Sequence, residues 1–118
     1  MKVDGRCHCG NIKYEAEVDP AKVVICHCTD CQTLSGSAFR TVVPTNEGTF
    51  RLMSGQPKVY VKTGESGNKR EQTFCPDCGS PIYSAPVGEG AKRPRYPLVI
   101  LALKSRNDTA CTREFKAH

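Results

Sequence analysis

The sequence predicts an antiparallel all-β domain, and three observations carry that prediction. Short alternating or apolar segments follow one another from Asn11 to Leu103, too brief for core helices. Gly and Pro, ten and eight residues respectively, punctuate them at frequent intervals. No segment sustains a long 3.6-residue apolar period, and no internal repeat is visible beyond pairs of cysteines. Many short strands with turn residues between them read as stacked antiparallel sheet. At 118 residues the chain is expected to form a single domain, 1–118, with one modest core.

The elements are expected in the following order. Asn11 to Val18 alternates, with Ile12, Tyr14, Ala16 and Val18 on one face and Lys13, Glu15 and Glu17 on the other, which is a half-buried strand. Asp19-Pro20 ends it. Val23-Val24-Ile25 is a short apolar run, and Gln32 to Ser37 reads as a helical turn or tight loop that Gly36 closes. Phe39 to Val43 is a strand ended by Pro44. Thr49 to Met53 and Lys58 to Lys62 are two more, separated by Ser54-Gly55-Gln56-Pro57. A hairpin connection from Gly64 to Asn68 leads into Arg70 to Phe74. Pro81 to Ala85 follows, then a long exposed loop from Ala85 to Pro97. Leu98 to Leu103, the most apolar stretch, is a buried strand.

Seven of the eight cysteines fall into three tight clusters: Cys7-His8-Cys9, Cys26-His27-Cys28-Thr29-Asp30-Cys31 and Cys75-Pro76-Asp77-Cys78. Such spacing lets neighbouring sulfurs grip one metal ion, at about 2.3 Å per sulfur for Zn²⁺. Four thiolates close a structural site, whereas three leave a position for water or substrate. Seven divides into four plus three. A disulfide scaffold is the competing reading, but it needs an oxidising compartment. The N-terminal Met1-Lys2-Val3-Asp4-Gly5-Arg6 carries no export signal, and no run is long enough for a membrane span. The expected compartment is therefore the reducing cytoplasm.

Cys75 and Cys78, with Pro76 inside the pair and Gly79 after it, form a metal knuckle; a redox dithiol would favour the start of a helix. Cys7 and Cys9, at the entrance to the first strand, can complete a Cys₄ site with that knuckle. Closing so long a loop adds little entropy cost over a moderate one. Cys26, Cys28 and Cys31 can ligate one ion from a single loop, either with an open position or with Asp30 or His27 as a fourth ligand. His8 and His27 are expected to point away from the metals, and Cys111 reads as a free thiol.

The formal charge of +5, from 17 basic and 12 acidic residues, at first suggests an anionic partner such as nucleic acid. Counting seven thiolates and two Zn²⁺ brings it to about +2. The cluster Lys92, Arg93 and Arg95 then reads as solvated surface, and nucleic acid is not the expected partner.

These segments resemble the glutathione-dependent formaldehyde-activating enzyme family, which also includes the centromere protein V domain. The resemblance is carried by Cys7-His8-Cys9-Gly10-Asn11-Ile12-Lys13-Tyr14-Glu15-Ala16 and by Cys26-His27-Cys28-Thr29-Asp30-Cys31. It continues through Ser35-Gly36-Ser37-Ala38-Phe39 and Phe74-Cys75-Pro76-Asp77-Cys78-Gly79-Ser80-Pro81-Ile82-Tyr83, so that it spans residues 5–103. It implies a zinc-stapled antiparallel fold called a β-tent. It also implies that Cys7, Cys9, Cys75 and Cys78 hold a structural zinc, and that Cys26, Cys28 and Cys31 hold the catalytic zinc. The activity implied is condensation of formaldehyde with glutathione to S-hydroxymethylglutathione, the reverse of a carbon–sulfur lyase step. A small thiol such as glutathione is then the partner, with no membrane involved and the oligomeric state not legible.

One departure stands out. Family members continue past the last apolar strand into a segment containing Trp, whereas residues 104–118 contain none. The metal ligands are thus better supported by the resemblance than the activity is. Two other readings remain open at this point. One is a non-catalytic zinc module that binds protein or nucleic acid. The other is a redox role like that of methionine sulfoxide reductases, using Cys111.

Overall fold

The computed structural model describes residues 1–63, 67–87 and 98–100. Along the chain these form strands β1 (Lys2–Arg6) and β2 (Lys13–Glu17), a 3₁₀ turn (Pro20–Lys22), β3 (Val24–Cys26) and helix α1 (Thr29–Ser35). Strands β4 (Arg40–Pro44), β5 (Arg51–Ser54), β6 (Lys58–Thr63), β7 (Lys69–Phe74), β8 (Pro81–Pro86) and β9 (Leu98–Ile100) follow. Two antiparallel sheets result, one in the order β1-β2-β5 and one in the order β3-β4-β9-β8-β7-β6. The all-β expectation holds.

The alternation in β2 does what its pattern demands. Ile12, Tyr14, Ala16 and Val18 are all buried, while Lys13 and Glu17 face solvent. In β4 the residues Arg40 to Val43 are buried in succession; the strand lies inside its sheet, between β3 and β9. Val43 stands directly across from Val99 of β9, which in turn pairs with Tyr83 of β8. Burying each such aliphatic side chain contributes roughly 1.5–3 kcal/mol. An aromatic chain joins the sheets. The Tyr14 ring stacks on Phe50 at 5.5 Å, and Phe50 meets Tyr83 edge-on at 4.9 Å. Cys7 and Cys75 belong to this same core, at 1% and 0% exposure, alongside Ile12, Val43 and Ile82.

Several boundaries differ from the sequence expectation. Strand β1 was not expected, and Cys7 and Cys9 therefore sit in the turn between β1 and β2 rather than ahead of a first strand. Helix α1 begins at Thr29, not Gln32, because the Cys28 sulfur caps its N-terminus by accepting from the Cys31 N–H at 3.3 Å. Gly36, with φ of 64°, ends it as anticipated. Strand β4 runs through Pro44, where the pairing with β3 has already stopped at Val42 and β9 continues alongside. Strand β8 reaches Ala85 as expected and takes in Pro86 as well, which the sequence reading left to the loop.

Strands β6 and β7 pair in unbroken register up to Thr63↔Lys69, as a hairpin requires. The connection expected there lies partly at residues 64–66, outside the described residues. Residues 88–97 of the expected loop, residues 101–103 of the last apolar run, the basic cluster Lys92, Arg93 and Arg95, and Cys111 also lie outside them. Among the described residues no helix is long and apolar enough to cross a membrane.

Candidate metal centres

Two turns of matching design build the first centre. In the β1–β2 turn the Cys7 N–H donates to the Ile12 carbonyl at 3.0 Å, and the Gly10 N–H donates to the Cys7 carbonyl at 3.1 Å. In the β7–β8 turn the Cys75 N–H donates to the Ser80 carbonyl at 2.9 Å, and the Gly79 N–H donates to the Cys75 carbonyl at 2.8 Å. Each turn ends in a glycine directly after its second cysteine, with φ of 82° at Gly10 and 76° at Gly79. A residue with a Cβ resists that left-handed conformation. The chain can thus curl back tightly enough for both sulfurs of a pair to point the same way.

Side chains then lock the two turns together across 66 residues or more of sequence. Asn11 Nδ2 donates to Asp77 Oδ2 at 2.9 Å, and the His8 N–H donates to Ser80 Oγ at 2.9 Å. The outcome is that the sulfurs of Cys7, Cys9, Cys75 and Cys78 all lie within 4.8 Å of one another. Cys7 and Cys9 sulfurs are 3.5 Å apart, and those of Cys9 and Cys75 are 3.8 Å apart. A tetrahedron with about 2.3 Å metal–sulfur bonds has edges of about 3.8 Å. The donor set and its spacing fit one ion.

The second centre is local. Cys26 ends β3, Cys28 caps α1 and Cys31 lies in its first turn, and their sulfurs again fall within 4.8 Å of one another. Cys31 is buried, Cys26 half-buried and Cys28 exposed. Neither Asp30 nor His27 joins this group, and among the described residues no other side chain completes it as a fourth ligand. Asp30 instead sits in the first helical turn, where its charge complements the helix N-terminus. The His27 ring lies against Phe39 at 5.7 Å, and both His8 and His27 are exposed. All seven cysteines are free thiols, not disulfides.

Electrostatics explain why both groups call for a cation. The Ser80 hydroxyl beside Cys78, then the backbone at Cys9 and Ser80, pull the Cys78 thiol down to about 5. Cys9 moves the other way. The Asn11 backbone acts to lower it, yet Cys7, burial and the knuckle sulfurs together push it up to about 12. In the second group Cys28 is lowered, chiefly by the Cys31 N–H. Burial first, and then the sulfurs of Cys26 and Cys28, push Cys31 up to about 12, against the pull of Arg40. Clustered thiols cannot all ionise without positive charge among them. A divalent ion supplies it and displaces the retained protons, so occupancy of both centres should fall as the pH is lowered.

Sequence reasoning placed all seven sulfurs and missed what surrounds them. Asn11, Asp77 and Ser80, which tie the two turns together, carry no recognisable spacing. Arg40 was passed over inside a strand. It is buried at 6% exposure, and its Nη2 donates to Gln72 Oε1 at 3.2 Å.

Comparison with known proteins adds to this geometry. A family model described as "Glutathione-dependent formaldehyde-activating enzyme" matches residues 2–114. An uncharacterized lyase of Schizosaccharomyces pombe is 28% identical over 82 residues, covering 70% of this chain and 56% of that protein. The matched region thus spans little more than half of that curated relative. The crystal structure of a Rhodobacter sphaeroides protein is similar with a TM-score of 0.64 at 20% identity, covering 90% of this chain and 94% of the other. That likeness is one of fold.

Proposed function

The chain belongs to the glutathione-dependent formaldehyde-activating enzyme family, and from that premise we propose that it is a zinc-dependent carbon–sulfur lyase-type enzyme. Its substrate on this reading is a small thiol adduct of the S-hydroxymethyl type, formed from glutathione and formaldehyde. The observation that carries the proposal is the group of three sulfurs, Cys26, Cys28 and Cys31, with no fourth protein donor among the described residues. Cys7, Cys9, Cys75 and Cys78 would hold a structural zinc, and the three-sulfur group an exchangeable one. A reducing compartment such as the cytoplasm belongs to the same reading, because the ligands must stay as thiolates.

Zn²⁺ held by three thiolates would supply positive charge that keeps a substrate thiol ionised near neutral pH. With three negative ligands the loaded group carries a net −1, which favours thiolate exchange over activation of water. In the condensing direction the substrate thiolate attacks the formaldehyde carbon. A C–S bond forms, the C=O π pair moves to oxygen, and that oxygen takes a proton. In the lyase direction the hydroxyl loses its proton, the C=O bond re-forms, and the C–S bond breaks with its electron pair returning to sulfur. The part of this chain's residues is to set the local charge. Three sulfurs make it negative, and the Arg40 guanidinium partly offsets them.

Cobalt substitution tests the reading. Adding millimolar-range 2-mercaptoethanol or glutathione to the cobalt-loaded protein should shift the visible absorption, since a soft thiolate competes well for an open position. S-hydroxymethylglutathione should also be cleaved by the zinc-loaded protein. A spectrum that ignores both thiols, with metal retained at both centres, would sink the open-site lyase. A non-catalytic zinc module would then replace it.

A further inference from the structure

The six-stranded sheet ends in two edges, β3 and β6, and they differ. Strand β3 has three residues and leads straight into Cys26. Strand β6 has six, Lys58–Thr63, and among the described residues only β7 pairs with it. The N–H and C=O groups of its outer side are therefore without a strand partner there. Its side chains are bare as well, with Val59, Tyr60 and Val61 at 45%, 51% and 46% exposure. The valines lie on one face of the sheet and Tyr60 on the other. Both faces of this edge thus present apolar surface, and no bulge interrupts its register with β7. Such an edge is a template for another strand.

The order Lys58-Val59-Tyr60-Val61-Lys62-Thr63 says which strand fits. A second copy would meet β6 antiparallel across a two-fold axis, which sets one residue opposite itself. With Tyr60 or Lys62 at the axis, lysine faces lysine, and like charges directly opposite are destabilising. With Val59 at the axis, Pro57 falls opposite Val61 and offers no N–H. Val61 at the axis leaves only favourable pairs. Val61 meets Val61, each Val59 meets a Thr63, and each Tyr60 meets a Lys62 whose ammonium can lie against the ring. All of these residues belong to β6. Lys58, Val59 and Tyr60 also form one wall of a cleft of about 490 Å³. Tyr60 would then carry Lys62 of the second copy to the rim of that cleft.

We propose that β6 is the interface of a homodimer. Two copies pair antiparallel about Val61, their six-stranded sheets join into one, and each copy delivers its Lys62 to the cleft of the other. The inference goes beyond the lyase reading and does not depend on it.

Sedimentation equilibrium of the zinc-loaded full chain at micromolar concentration should return the mass of a dimer. Val61→Lys sets lysine against lysine at the axis and should weaken the dimer at least about tenfold. Val61 is half exposed, so this variant should keep the native circular dichroism spectrum. Cross-linking tests the register independently. Directly opposed residues hold their Cα atoms about 4.5–5.5 Å apart, within reach of a disulfide. Val61→Cys should therefore give a covalent dimer on air oxidation, with the native chain as the blank. Tyr60→Cys and Lys62→Cys should each fail alone and cross-link when mixed. A native chain that sediments as a monomer overturns the proposal. So does a dimer indifferent to Val61→Lys, which would place the contact elsewhere. Open-ended polymers would overturn it too, since they would pair β6 of one copy with β3 of the next. None of these readouts involves thiol binding at the three-sulfur group, so this proposal and the lyase reading fail separately.

Discussion

The two cysteine groups use the same ligand chemistry in opposite structural settings. The Cys7–Cys9–Cys75–Cys78 group joins turns far apart in sequence, one from each sheet, and two of its four cysteines are members of the hydrophobic core. The Cys26–Cys28–Cys31 group spans six consecutive residues at the end of an edge strand, with Cys28 exposed. A metal in the first setting would hold together parts of the fold that share few other covalent or local constraints. A metal in the second constrains only a loop that the chain already closes through the helix cap at Cys28. On the proposed reading, setting, more than donor type, decides which metal would be a staple and which would be free to exchange.

The largest expected effect comes from breaking the long-range group. Cys75→Ser removes a core sulfur and opens the link between the β1–β2 turn and the β7–β8 turn. On the proposed reading its melting temperature should fall by more than about 15 °C, or the cooperative transition should vanish. Thermal unfolding followed by circular dichroism measures this. A variant as stable as the native chain would remove the contrast.

The smallest effect is expected at the local group. Cys28→Ser should abolish metal at that centre yet shift the melting temperature by less than about 5 °C. Serine is itself a good helix N-cap, so it can keep the bond to the Cys31 N–H while losing the soft donor. Elemental analysis of this variant should find about one zinc per chain, against about two in the native protein. Equal destabilisation of both variants would mean that both centres are structural.

How much of this was legible in the sequence follows the same divide. Local patterns were readable. The alternation from Ile12 to Val18 gave the buried face of β2, and cysteine spacing gave both sulfur groups. Features that depend on residues far apart were not. Strand β1 has a single apolar side chain, Val3, and carries Gly5, so it shows no strand signal of its own; it forms because β2 offers an edge to pair with. The hydrogen bond from Asn11 to Asp77 joins residues with no common motif. Arg40 was not singled out within the Phe39–Val43 strand, since arginine is almost never fully buried without a partner, and only the packed structure brings it to Gln72. The early start of α1 was hidden for a different reason. Cysteine is not a customary N-cap, and here its sulfur takes the role that a serine or aspartate oxygen usually fills.

The contrast between staple and exchangeable centre is tested most directly by chelator titration of the fully zinc-loaded protein, with released zinc and circular dichroism recorded together. The account predicts two separated steps. About one zinc per chain should leave first without change in the β-sheet signal, and the second should leave only as that signal collapses. A single step in which both ions depart with the fold, or a fold indifferent to the loss of both, would contradict it.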